Sequence, residues 1–181
     1  MAERIAISGS AGTGKSTLAR RLAAELGLPY IGEGMREYLE STGADLHALG
    51  WEGVRTLVQR LWEERKEAEA ACATGFVADR SSYDFAAFWL YYRFAQPDPD
   101  TRLLLAEATA PDRYDAVFVL PWGSIPLEAD GVRSTDPYVQ LHTQMLIEGF
   151  VRRHAARVVD VAAPGLDARV AAVLAALGRA R

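Results

Sequence analysis

A glycine-rich segment near the start of the chain carries the clearest chemical signal. Residues 9–16 read Gly-Ser-Ala-Gly-Thr-Gly-Lys-Ser and satisfy the spacing G-x-x-x-x-G-K-[ST] in full. Glycines let the backbone turn its N–H groups toward an anion, and a helix beginning near Lys15 adds the positive end of its dipole. Lys15 suits the outer phosphates of ATP, and the Ser16 hydroxyl suits magnesium. The spacing therefore predicts a loop that binds the phosphates of a nucleoside triphosphate with Mg²⁺ through nine residues: Gly9, Ser10, Ala11, Gly12, Thr13, Gly14, Lys15, Ser16 and Thr17.

Other classes of protein also use glycine-rich loops, and the rest of the sequence disfavours them. The overlapping Gly12-x-Gly14 motif has Thr17 at its sixth position, where a dinucleotide fingerprint needs Gly or Ala. The sequence contains no asparagine, so it lacks the Asn-Lys-x-Asp segment with which guanine-specific switches read their base. An oligomeric motor ATPase usually has a further helical subdomain, for which the chain has little room after Val161. A kinase is favoured over these classes.

Charged side chains follow two of the predicted strands, and a kinase needs such groups beside the transferring phosphate. Glu33 comes just after the short strand Pro29–Ile31, and Asp79 and Arg80 come just after the strand Gly75–Ala78. Carboxyl ends of parallel strands meet at one edge of a sheet, where open α/β sheets bind ligands. We therefore expect these three side chains to lie beside the phosphate-binding loop.

The sequence around these charges resembles known small-molecule kinases. Residues 75–81 (Gly-Phe-Val-Ala-Asp-Arg-Ser) are similar to a strand followed by Asp/Glu-Arg-Ser in deoxynucleoside kinases and thymidylate kinases. Residues 33–38 (Glu-Gly-Met-Arg-Glu-Tyr) and 130–134 (Asp-Gly-Val-Arg-Ser) resemble segments of the ribosylnicotinamide kinase domain of a bacterial NAD-biosynthesis regulator. The resemblance extends over essentially the whole chain. It implies a P-loop NTPase fold of the nucleoside/nucleotide-kinase kind, ATP and Mg²⁺ as cofactors, and a small-molecule acceptor.

The resemblance also implies a role for each charged residue. Glu33 would orient or deprotonate an acceptor hydroxyl, Asp79 would help to hold magnesium through water, and Arg80 would stabilise charge on the transferring phosphoryl group. The polar, glycine-containing stretch 122–136 would form a lid, with Arg133 reaching the phosphates. The alternatives are a solvent-facing carboxylate at Glu33, a structural ion pair or helix cap at Asp79 and Arg80, and an ordinary surface loop at 122–136.

Two more residues are candidates for contacting the acceptor. Seven aromatic residues crowd the predicted helix from Ser82 to Phe94, and Tyr83 in its first turn is nearest to the catalytic edge. Most of these rings should pack in the core, so stacking on an acceptor ring is predicted for Tyr83 only. Arg36 would pair with a phosphate if the acceptor is already a nucleotide, and a solvated arginine is the other interpretation.

Alternating strands and helices must position these residues. Short β-rich runs alternate with longer helical patterns, which predicts a five-stranded parallel sheet with helices on both faces. We interpret residues 1–181 as one three-layer α/β domain. The strands are expected at Arg4–Ser8, Pro29–Ile31, Gly75–Ala78, Asp115–Leu120 and Arg157–Val161. The helices are expected at Lys15–Leu26, Met35–Leu39, Trp51–Cys72, Ser82–Phe94, Asp100–Ala108, Pro137–His154 and Leu166–Leu177.

Composition limits the partners. A net charge of −4 and a pI of about 5.4 disfavour the broad basic face that duplex nucleic acid requires. Cys72 is the only cysteine, so the chain forms no internal disulfide and no cysteine-cluster metal site. The absence of a signal-peptide pattern and of an apolar run of ~18 residues predicts a cytoplasmic protein without a membrane span. The expected partners are a nucleoside triphosphate and a small-molecule acceptor, and a homodimer remains open.

Two functional hypotheses follow. The first is an ATP- and Mg²⁺-dependent kinase that phosphorylates a nucleoside-like small molecule, whether ribosylnicotinamide-like, a nucleoside or a nucleotide. An antibiotic-modifying phosphotransferase is a variant of it, and a preference for ATP over GTP is left open. The second is a regulatory ATP-binding module that hydrolyses ATP slowly and signals through its lid or its aromatic helix. It predicts an exposed apolar patch on the helix Ser82–Phe94.

Overall fold

Strands and helices alternate throughout the computed structural model, which describes residues 3–44, 48–91, 99–126 and 135–179. Every predicted element is present, with bounds close to those expected; the predicted end of the aromatic helix, Phe94, lies outside the described residues. The strands are β1 (Glu3–Ser8), β2 (Tyr30–Ile31), β3 (Gly75–Asp79), β4 (Ala116–Val119) and β5 (Val158–Asp160). The helices are α1 (Lys15–Leu26), α2 (Met35–Thr42), α3 (Gly50–Ala71), α4 (Ser82–Tyr91), α5 (Pro99–Ala108), α6 (Pro137–His154) and α7 (Leu166–Ala176).

The five strands form one parallel sheet in the order β2-β3-β1-β4-β5. The central strand β1 therefore lies between β3 and β4. In this register Ile7 of β1 is level with Asp79 of β3, and Ser8 is level with Val119 of β4. The loop that follows β1 consequently begins beside the end of β3. In a parallel sheet, residues that follow neighbouring strands at this edge can contribute to one site.

Alternate residues of the central strands pack against helices on opposite faces of the sheet. The first core cluster joins one set of strand residues to α1 and α7 and includes Ile5, Ile7, Val77, Phe118, Leu18, Leu22, Val170 and Val173. The second joins the other set to α4 and α6 and includes Ala6, Phe76, Ala78, Val117, Tyr83, Ala87, Ile147 and Val151. Both faces of the sheet are apolar and buried, which is typical of parallel sheets. The predicted three-layer α/β fold is confirmed.

The ends of two helices follow the sequence signals. Gly27, in the left-handed conformation with φ of 66°, terminates α1. Asp136 caps α6 by accepting hydrogen bonds from the backbone N–H groups of Tyr138 and Val139, and Pro137 occupies the first turn. In the described part of the chain, none of the helices has the length and apolarity that a membrane span needs.

Replacing Gly75 by alanine should destabilise the sheet. Gly75 has a φ of 110°, and a Cβ atom there would lie within 3.0 Å of the backbone of Glu3 on β1. Because backbone cannot move aside as a side chain can, we expect Gly75→Ala to lower the free energy of unfolding by about 2–4 kcal/mol in chemical denaturation.

The matched control is Gly149→Ala in α6, where an added Cβ meets nothing within 4 Å. This variant should be neutral or more stable by up to about 1 kcal/mol, because alanine favours helix over glycine. Equal effects of the two substitutions would contradict the close approach of Gly75 to β1.

Candidate active site

The charged residues predicted from the strand ends converge beside the loop that follows β1. Arg80 Nε lies 2.7 Å from Glu33 Oε1, which joins the ends of β3 and β2. Lys15 is 5% exposed, and the charges of Arg80, Asp79 and Glu33 all act on its ammonium group. The four side chains therefore occupy one edge of the sheet, as the sequence predicted.

Arg80 is the most constrained of these residues. It is 4% exposed, and its φ of 76° places a residue other than glycine in the left-handed region. Its Nη1 donates to the carbonyl oxygen of Gly9 (3.1 Å) and to Asp84 Oδ1 (3.2 Å), while the guanidinium lies 4.6 Å from the centre of the Phe88 ring. A backbone conformation of this cost persists only where surrounding contacts enforce it, and such residues concentrate at functional sites.

Asp84, in the first turn of α4, holds Arg80 and the start of the loop together. Its carboxylate is fully buried and accepts hydrogen bonds from Ser8 Oγ (2.7 Å), Ser81 Oγ (2.7 Å) and the backbone N–H of Ser81 (3.0 Å). The N–H of Gly9 lies 3.4 Å from its second oxygen. A single buried carboxylate thus ties the end of β1 to the turn after β3.

Arg65 of α3 fixes the backbone at the ends of β2 and β3. Its guanidinium donates to the carbonyl oxygens of Gly32 (2.7 Å), Asp79 (2.7 Å) and Arg80 (3.2 Å). These bonds bring together the segment that carries Glu33 and the strained turn at Arg80. Arg65 is 3% exposed, so it stabilises the backbone of the site from within the protein core.

The first half of the loop turns two carbonyl oxygens toward the two cations. The carbonyl oxygen of Gly9 accepts from Arg80, and that of Ser10 accepts from Lys15 Nζ (2.6 Å) and Thr13 Oγ1 (3.0 Å). Lys15 and Arg80 therefore donate to the carbonyl oxygens of two adjacent loop residues. Phosphate oxygens are alternative acceptors for the same donors.

Two N–H groups in this half of the loop donate hydrogen bonds to α6. The N–H of Ser10 donates to Gln144 Oε1 (2.6 Å), and the N–H of Ala11 donates to Gln140 Oε1 (3.2 Å). Gln144 also donates to the carbonyl oxygen of Leu120 at the end of β4 (3.0 Å). Two buried glutamines one helical turn apart thus anchor the loop to α6.

Asp79 and Ser16 offer oxygen atoms of the kind that a hard divalent cation prefers. Asp79 is 1% exposed; its Oδ2 accepts from the Tyr30 hydroxyl (3.3 Å), while its Oδ1 has no hydrogen-bond partner among the described residues. A buried carboxylate oxygen without a partner is costly unless a ligand satisfies it. Ser16 is half-buried in the first turn of α1 and supplies a hydroxyl oxygen of the kind that magnesium prefers. No cluster of three His, Cys, Asp or Glu residues that could hold a metal occurs within the described ranges.

The pKa values of the Lys15 and Arg80 side chains are shifted in opposite directions. Burial, followed by the charge of Arg80, lowers the pKa of Lys15 from 10.5 to about 8. For Arg80, burial opposes the charged form, but Glu33, Asp84 and Asp79 outweigh it and raise the pKa above its ordinary value. Arg80 is therefore a permanent positive charge, whereas Lys15 titrates in a range that can be reached experimentally.

A cavity of about 370 Å³ opens next to Glu33, between β2 and α3. Its walls include Tyr30, Glu33, Glu37, Leu61 and Arg65. Tyr30 is the one aromatic ring among the described residues that line it, so it is not the ring-lined pocket that the aromatic helix suggested. Glu33 therefore belongs both to the ion pair with Arg80 and to the wall of this cavity.

The three remaining predictions have different outcomes. Tyr83 was expected at the acceptor pocket, but it is 1% exposed and packs against the rings of Tyr114 and His154 in the core. That prediction is corrected, because a side chain buried in this way presents no surface to an acceptor. Arg36 is exposed on α2 and is not among the described residues lining the cavity. Arg133 and most of the predicted lid at 122–136 lie outside the described residues.

Sequence reasoning missed five buried residues that support the site. Arg65 and Arg169 each occupy a core-facing position of an amphipathic helix, where an unexpected charge is a signal that could have identified them. Asp84 lies four residues after Arg80, the spacing of a helical ion pair. Gln140 and Gln144 lie four residues apart on one helical face. All five bind backbone groups, and because every residue has a backbone, the sequence does not show which residue is bound.

Comparisons with solved structures show the same fold. The NadR protein in complex with NAD and AMP-PNP matches with a TM-score of 0.71 at 19% identity, covering 98% of this chain and 49% of that chain. The deoxyadenosine kinase from M. mycoides with bound dATP matches with a TM-score of 0.64 at 18% identity, covering 97% of this chain and 99% of that one. The predicted resemblance is confirmed: the chain has the fold of P-loop kinases.

Sequence comparisons identify the family. The bifunctional pantoate ligase/cytidylate kinase of Gloeobacter violaceus is 45% identical over 64 residues, which are 35% of this chain and 11% of that protein. The chain thus spans about half the length of the NadR chain and a small part of the bifunctional enzyme.

A family model described as an AAA domain matches residues 4–169. That description does not test the expectation that the chain is no oligomeric motor, which stays a prediction. Since the matched region covers most of the sequence, the chain belongs to this AAA domain family.

Proposed function

We propose that this chain is an ATP- and Mg²⁺-dependent kinase that transfers the terminal phosphoryl group to a hydroxyl of a nucleoside-like small molecule. The observation that carries the proposal is the Glu33–Arg80 pair, which lies between the P-loop (residues 9–17) and a cavity of about 370 Å³. A base that faces a small-molecule space and a cation that contacts the phosphate-binding loop are what a phosphoryl transfer requires on its two sides.

The chain's own residues divide the work of an in-line transfer. Glu33 orients the acceptor hydroxyl and accepts its proton as the oxygen–phosphorus bond forms, while the bond to the leaving diphosphate breaks. Lys15 and Arg80 neutralise charge on the phosphoryl oxygens, and Arg80 does so in a position fixed by Asp84. Ser16 and Asp79 would hold magnesium, which supplies further positive charge to the phosphates when bound. Arg133 is proposed for the same role from the lid.

The acceptor and the setting belong to the proposal as well. NadR and the deoxyadenosine kinase are known with nucleotides bound, which supports a nucleotide as the donor here. The acceptor class stays broad, and an antibiotic-modifying reaction is a variant within it. Cytoplasmic location is part of the proposal because ATP is the donor.

The structure offers less support for a regulatory ATP-binding module. That function predicted an exposed apolar patch on the aromatic helix. Within the described residues of α4, however, Tyr83, Phe85 and Trp89 are 1–3% exposed and belong to the core. We therefore retain the kinase as the single proposal.

Neutralising Glu33 should abolish transfer without abolishing ATP binding. We expect Glu33→Gln to lower kcat by about a hundredfold or more, because the acceptor would lose its proton acceptor. The measurement is coupled-assay ATP consumption with a panel of nucleosides, nucleotides, vitamins and antibiotics, alongside calorimetric ATP binding.

The matched control is Glu37→Gln, since Glu37 lines the same cavity but is exposed in the first turn of α2. It should keep most of the activity. The proposal fails if wild-type protein consumes ATP no faster with any acceptor than without one.

Removing the Asp79 carboxylate should change the dependence on magnesium. We expect Asp79→Asn to raise the Mg²⁺ concentration for half-maximal activity by about tenfold or more, because a neutral amide holds the hydrated ion less well. Asp160→Asn, at the end of β5, should leave the magnesium titration unchanged. Identical titrations of Asp79→Asn and wild type would remove Asp79 from the metal site.

ATP binding should take up a proton at alkaline pH. In the protein without nucleotide, burial lowers the pKa of Lys15 to about 8, so its side chain is mostly neutral at pH 9. Bound phosphates favour the charged form. Affinity should therefore fall as the pH rises above 8. Calorimetry in buffers of different ionisation enthalpy should give a clearly larger proton uptake at pH 9 than at pH 7. Equal uptake at both pH values would contradict contact between Lys15 and the phosphates.

A further inference from the structure

Arg169 of α7 connects three segments that surround the P-loop. It is 5% exposed, and its guanidinium donates to the carbonyl oxygens of Thr13 (2.8 Å) and Ala163 (3.0 Å) and to Ser124 Oγ (2.9 Å). Thr13 belongs to the loop, Ala163 to the segment between β5 and α7, and Ser124 to the segment after β4. One planar side chain thus fixes all three.

The contact with Thr13 sets the direction of the next N–H group. The carbonyl of Thr13 and the N–H of Gly14 belong to the same peptide unit, which is planar and trans, so they point in opposite directions. Because Arg169 draws the carbonyl toward α7, the N–H of Gly14 points to the other side of the loop. In this orientation the N–H of Gly14 points away from the Arg169 guanidinium and is available to an anion.

The first half of the loop cannot supply the same donors. The N–H groups of Ser10 and Ala11 are engaged by Gln144 and Gln140, and the carbonyls of Gly9 and Ser10 face the cations. The carbonyl of Thr13 instead faces a different cation, Arg169 on α7. The N–H groups for an anion must come from this second half and from the first turn of α1.

Arg169 also packs closely against the loop. A Cβ added to Gly14 would lie 3.1 Å from Arg169 Nη1 and 3.1 Å from Ile125 Cδ1. The guanidinium therefore leaves little space for the Thr13–Gly14 peptide to rotate. Its position is fixed in turn by Ala163 and Ser124.

We propose that Arg169 is a positioning residue for phosphate binding: it holds the Thr13–Gly14 peptide in the orientation that presents the Gly14 N–H to the phosphates. The inference rests on the proposed binding of a nucleotide at this loop. It assigns Arg169 an action through the backbone, without contact to the nucleotide.

The test compares nucleotides with and without a second phosphate. Arg169→Gln should weaken Mg-ADP binding by about tenfold or more, the cost of losing a hydrogen bond to a charged group, while AMP affinity changes less than about threefold. Arg169→Lys should lose Mg-ADP affinity similarly, because an ammonium keeps the charge but cannot hold three acceptors in a planar arrangement. Isothermal calorimetry gives each dissociation constant, and thermal unfolding of each variant shows whether it is folded.

The matched control is Arg157→Gln. Arg157 also donates to a backbone carbonyl, that of Ala176 at the end of α7, but it is exposed. This variant should bind both nucleotides as wild type does. A general loss of stability would instead weaken ADP and AMP binding alike.

Each outcome separates the two proposals. If wild type binds Mg-ADP and Arg169→Gln binds it equally well, the role of Arg169 is wrong while the kinase proposal stands. If Arg169→Lys restores wild-type affinity, charge and not peptide orientation is responsible, and the inference is overturned. If Arg169→Gln does not fold, the lysine variant decides alone. If wild type binds no nucleotide, both proposals fail.

Discussion

The site depends on the buried guanidinium of Arg80. A charge with 4% exposure is stable only if it is compensated, and here the Glu33 and Asp84 carboxylates pair with it while the Gly9 carbonyl accepts one of its hydrogen bonds. Removing one partner of such a pair typically costs about 3–5 kcal/mol, because it leaves an uncompensated buried charge. The three partners come from three separate segments of the chain. Their convergence on one side chain therefore fixes the relative positions of β2, the P-loop and α4.

The charges at this edge of the sheet are nearly balanced. Lys15, Arg65 and Arg80 face Asp79, Asp84 and Glu33, so the protein gathers three cations and three carboxylates within one small region. A polyphosphate would add several negative charges to this set. Magnesium would offset part of them, which agrees with the partnerless oxygen of Asp79. Burial and the charge of Arg80 lower the pKa of Lys15, and the carboxylates of Asp79, Glu33 and Asp84 oppose that shift.

Sequence patterns predicted the fold and the convergence of charged side chains at one edge of the sheet, because both depend on local signals. The P-loop spacing, Gly27 at the end of α1 and the charges after β2 and β3 each depend on a few adjacent residues. Four supporting residues were missed because they bind backbone groups that are distant in the sequence: Asp84, Arg65, Gln140 and Gln144. Gln144, for example, binds the N–H of Ser10 from 134 residues away. Tyr83 was misplaced because aromatic density does not tell which ring faces the core. Only the packing against Tyr114 and His154 resolves that.

A crystal structure of the protein with Mg²⁺ and AMP-PNP tests the central claim most directly. The cations that now contact the carbonyl oxygens of Ser10 and Gly9 should then contact phosphate oxygens, with Lys15 Nζ at the outer phosphates and Asp79 Oδ1 facing the metal or its water. Arg80 should keep its contact with Asp84. A nucleotide bound elsewhere, with Lys15 still on the Ser10 carbonyl and Glu33 turned away from the terminal phosphate, would contradict the assignment of this edge as the site of phosphoryl transfer.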